Sequence, residues 1–144
     1  MAVFNEYSLL TQVAIRSPLN SFLTDEKLSN EWQDLRFHSK PKLKESIDEF
    51  IEFRKLLLNN EIEIIDLPQA KGLTIDSIYT RDSILISPKG LILCNMGRAS
   101  RTPEARDNYE HLKLQGYQIA GEILAPGTLE GGDFIWLSDT KAAV

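Results

Sequence analysis

The sequence is poor in the residues that usually announce a disulfide, a metal or a membrane. It contains one cysteine and two histidines in 144 residues. Cys94 by itself forms no internal disulfide, which excludes a cysteine-stapled scaffold and makes a reducing, cytoplasmic setting the expectation. His38 and His111 stand alone, without the short His/Cys spacing of a zinc site. No compact loop carries the set of oxygen donors that a hard cation requires. No metal and no cofactor is therefore expected. The longest apolar runs, such as Leu91-Ile92-Leu93-Cys94, reach four residues, far below the roughly 18 that cross a membrane. Met1 to Glu6 has no basic stretch leading into an apolar one, so no secretory leader is expected. Positive charge is also scarce. Sixteen Lys+Arg against 21 Asp+Glu leave a net charge of −5, which disfavours nucleic acid as a partner and suits a cationic ligand. What is present, 42% hydrophobic and 26% charged residues, is the composition of a globular domain rather than of a disordered or collagen-like chain.

Periodicity and punctuation predict an α/β order. Thr11–Arg16 reads as a strand ended by Ser17-Pro18. Residues 19–40 are irregular, with a short helix near Asp25–Leu35. After Lys40-Pro41, Leu43, Ile47, Phe50, Ile51, Arg54 and Leu57 recur at steps of three and four, which predicts a helix that Asn59-Asn60 stops. Glu61–Asp66 alternates as a strand, and Gln69–Ile75 is a loop. Ile84–Ser87 and Leu91–Asn95, joined by Pro88-Lys89-Gly90, form a hairpin. A second helix spans Pro103–Gln115, with Pro at its first turn and Gly116 at its end. Strands follow at Tyr117–Leu124 and, past Pro126-Gly127, at Phe134–Leu137. Phe50, Phe53, Phe134 and Trp136 are expected in the core.

This order occurs twice, in units of about 41–95 and 103–144. At an offset of 51, Asp82-Ser-Ile-Leu-Ile-Ser87 falls on Asp133-Phe-Ile-Trp-Leu-Ser138, so in each copy an Asp opens a strand that closes in Ser. Val144 falls where the first copy has Leu93, inside the second strand of its hairpin. An unpaired apolar edge there is a liability that complete domains avoid, so a single domain, truncated at its C-terminus, is expected.

Carboxylates gather where loops meet strands: Asp76, Asp82, Glu130 and Asp133. Any one of them alone is most simply a turn cap. Several converging on one cleft repel each other unless a cation neutralises them, and the diglycine between Glu130 and Asp133 lets backbone approach closely. Arg98 and Arg101, at the loop before the second helix, are planar fork donors suited to a carboxylate, or simply solvated charges. Cys94 lies in an apolar strand, where a free thiol behaves as a small hydrophobe. Tyr79, between two aspartates, is placed to wall a pocket.

Three blocks together resemble the guanidine-modifying superfamily of arginine deiminases, dimethylarginine dimethylaminohydrolases and amidinotransferases: Asp76-Ser-Ile-Tyr-Thr-Arg-Asp82, Asn95-Met-Gly-Arg-Ala-Ser-Arg101-x-x-Glu104 and Pro126-Gly-Thr-Leu-Glu-Gly-Gly-Asp133. The resemblance covers about residues 60–144. It implies a pentein fold, a five-bladed α/β propeller of ββαβ-type modules, of which about half is present here. It implies an amidino hydrolase acting on arginine or a methylated or otherwise substituted arginine, through a covalent cysteine thiouronium intermediate. By motif, Asp76 and Asp82 are similar to the carboxylates that hold the guanidinium, and Tyr79 stands where an aromatic stacks on it. Glu130 is similar to the acid that positions the catalytic His or touches substrate, with Asp133 as its structural support. Arg101, and more weakly Arg98, is similar to the arginine that binds the substrate carboxylate. The family's nucleophilic Cys and catalytic His match no residue of this chain, so the chain alone is expected to be inactive. The partner implied is a small guanidine, with homo-oligomerisation left open. An amidinotransferase, or a non-catalytic binding module of the same fold, is the alternative.

Overall fold

The computed structural model describes residues 7–138 and 140–144. The leader reading on Met1–Glu6 lies outside the described residues, as does Asp139. The chain forms two compact units, one over Gln12–Ile78 and the other made of the described residues 7–11 together with Tyr79–Val144.

In the first unit, β1 (Gln12–Ile15) and β2 (Glu63–Asp66) pair in parallel, with Gln12 opposite Glu63 and Ile15 opposite Asp66. Parallel strands need a long crossover, and this one contains three helices. The sequence offered no helix directly after Ser17, yet α1 (Pro18–Ser21) forms there. Ser17 caps it by accepting the Asn20 N–H at 3.2 Å, and Pro18 supplies the preset first-turn φ. Thr24 caps α2 (Asp25–Glu31) in the same way, through the Lys27 N–H at 3.1 Å. The long helix α3 (Leu43–Asn59) returns the chain to β2. Phe22, Leu28 and Ile75 form the centre of the core, with Trp32, Leu35, Phe37, Leu43 and Ile78 packed around them.

The stripe on α3 is less buried than its spacing predicts. Leu57 is buried, but Ile51 and Phe53 are exposed. Phe53, expected in the core, is therefore corrected to the surface. Its neighbour Arg54 forks onto both carboxylate oxygens of Asp66 at the end of β2. Leu43, packed on the core, and the buried Leu57 mark the inward face of α3, and Phe53 lies on its flank, about 80° around the helix from Leu43.

In the second unit, α4 (Thr80–Ser83) runs straight into β3 (Ile84–Ser87), which forms a tight antiparallel hairpin with β4 (Gly90–Leu93). Gly90 has φ +127°, and a Cβ there would lie 2.5 Å from the Gln118 carbonyl, so only glycine fits. Helix α5 (Glu104–Leu114) carries the chain to β5 (Ile119–Glu122), parallel to β4. A second hairpin, β6 (Ile135–Ser138) with β7 (Lys141–Ala143), follows. Strands β3 and β6 have equal length, and each is preceded by a short helical turn, Thr80–Ser83 and Gly131–Asp133. Hydrogen bonding groups the elements by sheet: β2 goes back to β1, whereas the hairpin β3–β4 takes up β5. Leu85, Cys94 and Met96 form one core cluster here, flanked by Ile92, Leu129 and Phe134, and Leu91, Leu93 and Leu112 are buried as well. Trp136 stands edge-on to Phe134, ring centroids 4.9 Å apart, and donates its indole N–H to the Ile86 carbonyl at 2.7 Å. Among the described residues no helix is long and apolar enough to cross a membrane.

Candidate functional site

Within the second unit, three stretches distant in sequence come together. The first is α4. Its Ser83 is anchored by the buried Asn108, which donates to the Ser83 Oγ at 2.8 Å, and the adjoining Asp82 keeps a quarter of its side chain exposed.

The second is the short turn Ala99–Arg101 leading into α5. Arg101 is 6% exposed and Glu104 is 0% exposed. Arg101 donates from Nε to Glu104 Oε1 and from Nη2 to Glu104 Oε2, both at 2.9 Å. Its Nη1 donates to Asp82 Oδ2 at 3.0 Å. This is fork-on-fork pairing with a second carboxylate at the side. Burial works against the guanidinium's charge. The hydrogen bonds and charge of Glu104, followed by those of Asp82, outweigh it and raise the pKa above the ordinary arginine value. Tyr79 sets its ring 6.0 Å from the Arg101 guanidinium carbon.

The third stretch is the diglycine. Gly131 is buried, and a Cβ there would lie 2.0 Å from the Arg81 carbonyl oxygen, a clash with backbone that no rotamer relieves. A Cβ at Gly132 would reach Asp82 Oδ1 at 3.5 Å, an ordinary contact. The loop thus lies directly on α4, and Arg81 Nη2 reaches over to the Phe134 carbonyl at 3.0 Å. Glu130 is held by the Gly97 N–H, which donates to its Oε1 at 3.3 Å. The Leu129 N–H donates to the Asn95 carbonyl at 3.0 Å and ties the same loop to the end of β4.

Of the site candidates read from the sequence, Tyr79, Asp82 and Arg101 are joined by direct contacts, and the loop that carries Glu130 packs beside Asp82 through Gly132. Arg98 is half-buried and precedes Arg101, accepting the Arg101 N–H on its carbonyl at 2.9 Å. Asp133 is exposed, its N–H bonded to the Glu130 carbonyl. Asp76 belongs to the first unit, where it is buried in a short turn, Ile75–Ile78. The sequence treated Glu104 only as part of a motif. Its signal was the spacing of three from Arg101 at a helix start, which puts both side chains on one face.

Cys94 is buried at the end of β4. Burial pushes its thiol up to about 11. The Leu85 backbone hydrogen bond works the other way, and the charges of Asp82 and Glu130 add to the rise. Near pH 7 it is a neutral thiol, the opposite of an activated nucleophile. Among the described residues no three His, Cys, Asp or Glu side chains group to hold a metal ion.

The family described as N,N dimethylarginine dimethylhydrolase, eukaryotic, matches residues 20–143. No curated protein matches the sequence. Among solved structures, a dimethylarginine dimethylaminohydrolase from Pseudomonas aeruginosa, a cysteine-to-serine mutant complexed with citrulline, superimposes with TM-score 0.74 at 22% identity, covering 92% of this chain and 49% of that one. A dimethylarginine dimethylaminohydrolase in adduct with S-methyl-L-thiocitrulline gives 0.73 at 22% identity, over 91% and 48%. The N-terminal domain of ArgZ, an arginine dihydrolase from cyanobacteria, gives 0.68 at 15% identity, over 88% and 45%. The chain thus spans about half the length of the structures it matches, and it shares their mixed helix–strand pentein fold. Matched over most of its length, the chain belongs to the N,N-dimethylarginine dimethylhydrolase family of the guanidine-modifying superfamily.

Proposed function

We propose that this chain supplies the substrate-binding side of an amidino hydrolase whose substrate is arginine or an N-substituted, methylated arginine. The observation that supports this most is the packing of Glu130-Gly131-Gly132 onto Asp82, which gathers carboxylates, an aromatic ring and arginines in one place. Asp82 faces the guanidinium, with Asp76 in the matching role of the same motif and Tyr79 as the stacking ring. Glu130 orients the reacting group, and Asp133 supports its turn. Arg98 carries the positive charge for a ligand carboxylate, because the Arg101 fork expected in that role is already committed to Glu104 and Asp82. Arg101 orients Asp82, which presets the carboxylate before ligand arrives.

In the reaction we propose, a cysteine thiolate adds to the guanidinium carbon. The substituted amine leaves with a proton, and a thiouronium is formed. Water adds to that carbon and gives up both its protons, one restoring the general acid that protonated the departing amine and one going to solvent, and the thiolate departs to leave a neutral urea. Cys94, with its raised pKa, is not that thiolate, and neither His38 nor His111 matches the family's general acid and base. The chain is accordingly proposed to bind guanidines without turning them over, as part of one five-bladed propeller in which 41–95 and 103–144 are repeat units.

Calorimetric titration with L-arginine and with asymmetric dimethylarginine tests this. Binding by the wild type, weakened at least about tenfold in Asp82→Ala, is the expected result. A folded wild type that releases no heat, or an Asp82→Ala variant that binds equally well, overturns it. Turnover by the purified chain overturns the inactivity.

A further inference from the structure

The stretch Leu67–Ser77, which carries Asp76, has little regular backbone pairing of its own, although Leu67, Ala70, Leu73, Ile75, Asp76 and Ser77 are all buried. Buried N–H and C=O groups need partners, and here side chains from the first 31 residues provide several. Arg16, 1% exposed, donates from Nε to the Pro68 carbonyl at 3.0 Å and from Nη1 to the Ser77 carbonyl at 3.2 Å. Its guanidinium therefore bridges both ends of the stretch. Asn20 donates from Nδ2 to the Leu67 carbonyl at 3.0 Å, and its own carbonyl accepts the Ala70 N–H at 2.7 Å.

The middle is held by an ion pair on α2. Lys27 and Glu31, one helical turn apart, pair with each other. Lys27 Nζ also donates to the Leu73 carbonyl at 2.7 Å, and Glu31 Oε2 accepts the Ile75 N–H at 2.8 Å. Together the pair presents one donor and one acceptor to the backbone, much as a neighbouring strand does. The pair is partly buried, so its hydrogen bonds are less screened than those of a surface pair.

We infer that Arg16 and the Lys27–Glu31 pair are positioning residues: they clamp Leu67–Ser77 and thereby fix Asp76 where a guanidine ligand meets it. The last clause rests on the function proposed above; the clamp itself does not. None of the three touches ligand in this account. They act through the backbone that carries Asp76, so removing one loosens that backbone before it unfolds the unit.

The test combines amide hydrogen exchange with L-arginine titration on the full chain, in wild type, Glu31→Ala, Arg16→Lys and Asp76→Asn. Glu31→Ala removes a partly exposed group, which keeps the experiment informative should the buried Arg16 variant fold poorly. Exchange across residues 67–78 is expected to accelerate by about tenfold in Glu31→Ala, with β1 and β2 unchanged. Arginine affinity is expected to fall about tenfold, and Asp76→Asn is expected to add little in that background. Unchanged exchange at 67–78, or a rise shared equally by β1 and β2, overturns the clamp. Faster exchange with undiminished arginine affinity, where Asp76→Asn alone does weaken binding, overturns the positioning role. Faster exchange in a wild-type chain that binds no arginine upholds the clamp and refutes the guanidine reading alone.

Discussion

Among the described residues two arginines are buried, one in each compact unit, and they are used differently. Arg16 donates to the backbone carbonyls of Pro68 and Ser77 and closes an irregular stretch. Arg101 donates to the carboxylates of Glu104 and Asp82 and closes a charge cluster. Both exploit the rigid fork of the guanidinium, which lysine lacks. The difference lies in the acceptor. A carbonyl belongs to the main chain and is spared by every substitution, so the first clasp depends on the arginine. A carboxylate is a side chain that mutation removes, and with it goes the compensation for a buried charge.

The largest expected effect follows from that contrast. Glu104→Ala leaves Arg101 buried with half its fork unmet, at a cost of about 3–5 kcal/mol. Arg16→Lys keeps a cation that can still reach one carbonyl and costs about 1–2 kcal/mol. Urea denaturation of the two variants reads this difference as a larger midpoint shift for Glu104→Ala. Equal shifts would break the distinction.

A smaller but sharper pair lies in the diglycine. Gly131→Ala drives a Cβ to 2.0 Å from the Arg81 carbonyl and is expected to destabilise by about 3 kcal/mol. Gly132→Ala makes only an ordinary contact with Asp82 and is expected to stay within about 1 kcal/mol. Thermal unfolding separates them. Equal losses would show that the loop does not rest on α4 as described.

The smallest effect at neutral pH concerns Cys94. Burial holds its folded pKa at about 11, above the ordinary thiol value of 9.0. Below 9 both states hold the proton, so the thiol contributes no pH dependence. Between 9 and 11 the unfolded chain releases the proton while the folded chain retains it, and stability falls by up to about 2–3 kcal/mol. Cys94→Ala should flatten that part of the stability curve. At pH 8, iodoacetamide should label the native protein far more slowly than the urea-unfolded chain. Rapid native labelling would contradict the burial of this thiol.

Much of the chain was legible locally. The hairpin was marked by Pro88-Lys89-Gly90, α5 by Pro103 and Gly116, and α3 by its three- and four-residue steps, because these signals act over one or two turns. Helix α1 was hidden by its length of four residues, too short for periodicity to register. Phe53, expected in the core as an aromatic residue, stands outside the residues that define the three- and four-residue steps of α3 and lies exposed on the flank of its inward face. Among the site residues, the motif blocks pointed to Asp82, Arg101 and Glu130. Spacing alone did not disclose that the Arg101 fork is engaged by Glu104 and Asp82.

Local sequence carried the order of the strands and of the longer helices, the acidic balance, and the three blocks whose order carries the family resemblance. These are properties of composition and of neighbours within a few residues. That Gly131 must be glycine follows from packing alone, because the obstructing carbonyl belongs to Arg81. Packing also decided that Cys94 stays protonated, and that Leu67–Ser77 is held by side chains up to 61 positions away. Such contacts arise from packing, where burial raises the cost of every unmet polar group and leaves few arrangements that satisfy them all.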